Sequence, residues 1–114
     1  MKNSPMKDCK ELCWMCRTLC QETLIQHCLE MGGKHLEKEH IKLMLDCIDI
    51  CQTAADFIDR ESALHAHTCA ACANVCEACA ESCEKIGSDQ MRKCAEICRK
   101  CAASCRQMGK RAAA

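Results

Sequence analysis

The sequence predicts an all-α protein, an antiparallel up-down-up-down four-helix bundle with a cysteine-lined lumen. Three observations lead there. Sixteen Cys among 114 residues recur at alternating steps of three and four, the spacing of one helix face. The single Pro stands at the start and the four Gly fall at the apparent breaks, where helices begin and end. The stretches between breaks are long and the connections are a few residues each, which makes chain neighbours antiparallel.

The first helix is expected over about residues 5–31, with Ser4 as N-cap, Pro5 at the first helical position and Gly32-Gly33 as its stop. The second is expected over about 34–58, with Glu37 and Glu39 near its positive end. Asp59-Arg60-Glu61-Ser62 reads as a turn, with Ser62 a cap for a third helix over about 63–86 that Gly87 ends. Ser88 then caps a fourth over about 88–109, closing at Met108-Gly109. All of residues 1–114 read as one domain, long enough to bury a core.

Composition narrows the function. Formal net charge is zero, with 16 basic and 16 acidic residues, so the basic patch of a nucleic-acid binder is not expected. Met1-Lys2-Asn3-Ser4-Pro5 runs straight into charged residues, and no apolar run approaches about 20 residues. Neither export nor membrane insertion is expected; a cytosolic chain keeps its thiols free or bound to metal. With one Trp, one Phe and no Tyr, something other than aromatic packing must fill the interior.

The cysteine ladders supply it. Cys9, Cys13, Cys16, Cys20 and Cys28 lie on the first helix and Cys47 and Cys51 on the second. Cys69, Cys72, Cys76, Cys79 and Cys83 lie on the third, and Cys94, Cys98, Cys101 and Cys105 on the fourth. Lys10, Glu11, Arg17, Glu77, Glu81, Lys93, Glu96, Arg99 and Lys100 suit the solvent face, and Leu12, Leu19, Ala73, Ala80, Ile97 and Ala102 the helix seams. A buried Cys can be a small apolar filler, but Leu or Ala would fill sixteen such places as well.

Thiols three or four apart on a helix have Cβ atoms about 5–6 Å apart, close enough to share an ion. Zinc would take closed tetrahedral sets, and four Cys₄ sites would leave about −8 in an apolar interior with no buried cation to answer it. Cu(I) is soft and monovalent; one ion displacing one thiol proton keeps the lumen neutral and sets a ceiling on the order of 16 per chain. A full set of disulfides would strain helical neighbours, and the cysteine run of bacterial ferredoxins is absent. The chemistry thus points to Cu(I), with a zinc-thiolate scaffold as the alternative.

Extending the ladders places Met6, His65 and Met108 at the end where the first and third helices start, called lower below. Met31, His40, Met44 and Met91 extend them toward the upper end. Such thioethers and imidazoles either pass Cu(I) inward or plug the bundle ends. His67 should point elsewhere, His27 and His35 should be surface or seam residues, and Trp14 should lie off the thiol face, at a subunit contact or exposed to solvent.

The ladders Cys9–Cys20, Cys69–Cys83 and Cys94–Cys105, with Gly32-Gly33-Lys34-His35 and Asp46-Cys47 to Cys51, resemble the bacterial copper storage proteins over nearly the whole chain, and the cytosolic branch rather than the exported one. The resemblance implies a bundle filled with Cu(I), often a homotetramer, that stores copper or guards against it. It also implies loading at the lower end, where Met6, His65 and His67 match. Helix two departs from the pattern, with only Cys47 and Cys51 and with His40 and Met44 where thiols would be expected. Other functions remain open: a chaperone or regulator that takes copper from a donor protein or hands it to an acceptor, or a thiol redox enzyme. The ladder singles out no exposed low-pKa cysteine for the latter, so a non-enzymatic role is expected.

Overall fold

The computed structural model describes residues 4–113, and side chains of residues 5–110. Helix α1 (residues 4–31) runs as α-helix over Ser4–Glu22, passes through a π-helical segment, Thr23–Cys28, and closes with a turn at Leu29–Met31. It opens at Ser4, one residue earlier than expected; the Ser4 cap itself falls outside the described side chains. Gly32 stops it with φ +65° and ψ −158°, a backbone open to glycine and strained for any L side chain.

The second helix does not begin at Lys34. Gly33–Leu36 form a short 3₁₀ turn, Glu37 returns to an extended backbone, and α2 occupies Lys38–Asp59. Leu64 N–H then donates to Ser62 Oγ at 3.1 Å, so Ser62 shapes the turn ahead of α3 (His65–Ile86), two residues later than expected. Gly87 ends α3 in the left-handed region. Helix α4 (Asp89–Ala113) runs past its expected end. Gly109 is therefore no stop. A Cβ there would meet Ala70 Cα at 2.8 Å, so this glycine lets the end of α4 close on the start of α3.

Each helix packs on its neighbours in the chain, and α4 closes the ring on α1. Contacts between opposite termini fix the alternation. Lys10 pairs with Asp59 at 3.0 Å, Cys9 meets Cys105 at 3.6 Å, and Arg106 pairs with Glu77 while Arg99 pairs with Glu84. The result is a rod of 43 × 22 × 18 Å. Among the described residues no helix is long and apolar enough to cross a membrane.

Its slenderness follows from small side chains. Ala54, Ala55, Ala73, Ala80, Ala95 and Ala102 are buried between the helices, Leu12 and Leu19 are partly buried beside them, and cysteines fill the centre. The expected outer charges lie outside, Lys10, Arg17, Glu77 and Arg99 only in part.

Candidate metal centre

All sixteen cysteines are buried free thiols, with no exposed surface. The three-and-four spacing does this on three helices without help. Helix α1 needs a correction to it, because Cys28 follows Cys20 by eight residues, which at about 100° per residue would leave it about 80° off the face. The π-helical segment absorbs the surplus. Leu29 N–H reaches back five residues to Leu24 O, and Cys28 returns to the interior. Isolated π turns are uncommon and concentrate at functional sites.

Inside, the sulfurs form a column. At the lower end Cys9, Cys69 and Cys105 lie within 4.8 Å of one another. Above them come Cys13, Cys72, Cys101 and Cys105; next Cys16, Cys51, Cys76 and Cys101; then Cys16, Cys20, Cys47 and Cys98. Cys94 joins through Cys20 at 3.4 Å, and Cys79 and Cys83 both donate to Met44 Sδ at 3.6 Å. Neighbouring thiols along one helix lie 3.7 to 4.0 Å apart, as in Cys72–Cys76 and Cys47–Cys51, and contacts across the lumen are as close: Cys16–Cys47 is 3.7 Å and Cys51–Cys76 3.6 Å.

These edges alone do not choose the ion. Metal–sulfur bonds of about 2.3 Å give a tetrahedron with sulfur edges of about 3.8 Å. What argues against separate closed tetrahedra is sharing: Cys16, Cys101 and Cys105 each belong to two sets, so filling all sets requires bridging thiolates. Monovalent ions bridged by thiolates meet that demand without accumulating charge.

The apo column shares protons. Cys47 and Cys101 are held below the ordinary thiol range because surrounding S–H groups, from Cys16 and Cys105 first, hydrogen-bond to their sulfurs. Cys20, Cys51 and Cys105 are raised, first through their bonds with Cys16 and, for the latter two, Cys101, and then by burial. Cys28 makes its close contacts with His40 and Met91 rather than with another thiol. Burial pushes it up to about 11, with the nearby Cys94 adding to it.

At the lower end Met108 is buried, Met6 packs against the core, and His65 is half-buried. His65 Nδ1 lies 2.9 Å from Ser62 O, and its Nε2 is buried with no hydrogen-bond partner. His67 is exposed. At the upper end Met31 is exposed and does not extend the ladder inward. His35 is buried at a seam, its ring edge-on to His27 with centroids 5.2 Å apart. Trp14 is 41% exposed, away from the thiols.

Three residues outside the principal expectation sit among the sulfurs: Met44 Sδ is 3.6 Å from both Cys79 and Cys83 Sγ, Met91 Sδ 3.8 Å from Cys28 Sγ, and His40 Nε2 3.7 Å from Cys28 Sγ. Their place on the ladder steps was the signal available in the sequence.

A profile of the copper storage protein family matches residues 2–110. The chain belongs to the copper storage protein family. A Nitrosospira multiformis protein of known structure is 40% identical, with TM-score 0.89 over 93% of this chain and 95% of its own. A Cu(I)-bound Bacillus subtilis copper storage protein is 34% identical, with TM-score 0.86 over 93% of this chain and 99% of its own. A Streptomyces lividans protein described as a cytosolic copper storage protein, seen with five coppers, is 27% identical, with TM-score 0.78 over 93% and 92%. No curated protein matches the chain. Membership explains the copper storage proteins' outlay of cysteine: here the thiols are the capacity, and Cu(I) is the cargo.

Proposed function

We propose that residues 1–114 act as one cytosolic domain that stores many Cu(I) ions, using all sixteen cysteines as ligands and Met6, His65 and Met108 as softer donors at the lower mouth. The observation that carries this reading is the shared column of thiols, linked sulfur to sulfur along the lumen with hubs at Cys16, Cys101 and Cys105. Each arriving ion displaces a proton, forms a bond to sulfur, and is bridged to the next thiolate; charge stays balanced as the column fills. The cytosolic description of the Streptomyces relative supports the compartment. Storage rather than catalysis fits a site whose cysteines are all buried, because a thiol redox enzyme needs one accessible thiolate.

Self-association is part of the proposal. A groove lined by Trp14, Met15, Thr18, Leu19, Glu22 and Ile97 runs along the outer face of α1 and α4, an apolar surface suited to a second copy. A copper donor or acceptor would meet the chain transiently at a bundle end.

The test is an anaerobic titration of the reduced apo protein with Cu(I), in competition with a chromogenic Cu(I) chelator and with Zn(II) in parallel. Tight uptake of more than about ten Cu(I) per chain is expected. Saturation at one or two ions would indicate a chaperone, and preference for about four zinc ions a zinc scaffold; either would overturn storage.

A further inference from the structure

The cysteine ladder has a gap near its upper end, and what fills the gap is informative. One step above Cys20 on α1 stands Leu24, and one step above Cys47 toward the start of α2 stands Met44; both are buried. Met44 receives the S–H groups of Cys79 and Cys83 at 3.6 Å each, so the column ends against a thioether. A thioether carries no charge and has no proton to exchange for Cu(I), so it is a poor link in a chain of bridging thiolates. Beyond it lies Cys28, whose close polar neighbours are His40 Nε2 at 3.7 Å and Met91 Sδ at 3.8 Å.

We infer that Met44 and Leu24 divide the lumen into a bridged thiolate column below and a separate one-ion Cu(I) site above, formed by Cys28, His40 and Met91. The inference rests on the storage reading and refines it. The donors come from α1, α2 and α4, and α3 contributes the support: Ser82 Oγ lies 2.7 Å from His40 Nδ1. With Nδ1–H donated to that hydroxyl, Nε2 turns its lone pair toward Cys28. A ligand histidine held through its other nitrogen is the usual arrangement around a protein metal ion.

The spacing suits a trigonal ion. Bonds of about 2.3 Å to sulfur and about 2.0 Å to nitrogen, opened to 120°, separate the donors by about 3.7 Å for sulfur–nitrogen and about 4.0 Å for sulfur–sulfur. The two distances from Cys28 Sγ, 3.7 Å to His40 Nε2 and 3.8 Å to Met91 Sδ, fall at or just inside those values. Thiolate, imidazole and thioether together favour Cu(I) over Zn(II), since thioethers select soft ions. One thiolate and one Cu(I) make a neutral unit, so the site can fill or empty while the column below is unchanged. Because it lacks a bridging thiolate, it holds its ion more weakly than the column holds its own.

Parallel Cu(I) titrations test this, using wild type, Cys28→Ala, Met91→Leu and Met44→Cys, with chelators of graded affinity and with the ¹⁵N shifts of His40 followed by NMR. Wild type is expected to show a tight multi-ion class and a weaker class of about one ion, whose filling moves the His40 Nε2 resonance. Cys28→Ala should lose the weak class alone. Met91→Leu, which nearly preserves volume, should weaken it about tenfold or more. Met44→Cys should extend the column upward and merge the two classes. A single class in wild type, loss of tight sites in Cys28→Ala, or a His40 resonance unmoved by copper would each overturn the partition while leaving storage intact. Uptake of only one or two ions by wild type would instead overturn storage, and the partition with it.

Discussion

A thiol buried among other thiols differs from a buried methyl group only if it can exchange its proton, and the column gives individual cysteines unequal opportunities to do so. Cys16, Cys101 and Cys105 each sit in two sets, whereas Cys69 sits in one, at the lower end. Replacing a hub removes a corner from two groups at once. Cys101→Ala is therefore expected to lower Cu(I) capacity by about two ions and Cys69→Ala by about one, read by copper-to-protein ratio after gel filtration; equal losses would argue against bridging at Cys101. Gly109 makes a different demand on a single residue. Its missing Cβ leaves room for the Ala70 backbone at 2.8 Å, and backbone does not yield as a side-chain tip does. Overpacking of this kind costs about 1–3 kcal/mol, against which alanine regains up to about 1 kcal/mol of helix propensity. Gly109→Ala should thus destabilise the apo protein by about 1 kcal/mol or more, measured by urea denaturation, and an increase in stability would show that the two helices do not approach here as described.

At the scale of the element, the π-helical segment Thr23–Cys28 interrupts the regular helix of α1, and its purpose is register. Deleting the exposed Gln26 should restore a seven-residue step from Cys20 to Cys28, keep Cys28 on the inner face, and leave Cu(I) capacity unchanged. Deleting the exposed Glu11, in regular helix, should rotate one part of the ladder by about 100° against the rest and remove several ions from the titration. If the two deletions behaved alike, the π segment would not be a register device. The same segment shows where sequence reading stops. The alternation of three and four marked the inner face of every helix, since α-helical geometry leaves such residues no other face to share. A step of eight residues from Cys20 to Cys28 implies an irregularity but does not say which kind, because a bulge forms only when neighbouring helices reward it. Gly109 misled for a related reason. A glycine that ends a helix and one that admits a neighbouring backbone look alike in sequence, and only packing against Ala70 separates them. His35 and Lys34 behave similarly: the 3₁₀ turn over Gly33–Leu36 buries His35 against His27, an arrangement made by two elements rather than encoded in either.

For the whole molecule, a lumen filled with thiols ties folding to protonation. Cys28 is raised from an ordinary 9.0 to about 11 by burial first and Cys94 second, and burial also works to raise Cys20, Cys51 and Cys105. A thiol whose folded value exceeds its unfolded value binds more protons in the folded state. Its contribution to stability is complete below about pH 9 and is lost as pH rises through the folded value. Cys47 and Cys101 run the other way, but the thiolates they favour depend on neighbours that remain protonated, so their contribution also fails once those neighbours ionise. The apo bundle should therefore hold a level melting temperature from pH 7 to about 9 and fall steeply between about 9 and 11, each tenfold in acidity being about 1.4 kcal/mol per thiol. Copper changes the balance. Where Cu(I) has replaced the proton there is nothing left to titrate, and the ion binds folded protein in preference to unfolded. The copper-loaded protein should keep its melting temperature across the same range and stand well above the apo form throughout. A loaded protein that lost stability in parallel with the apo form would mean that its thiols were still protonated, and that copper had settled somewhere other than the column.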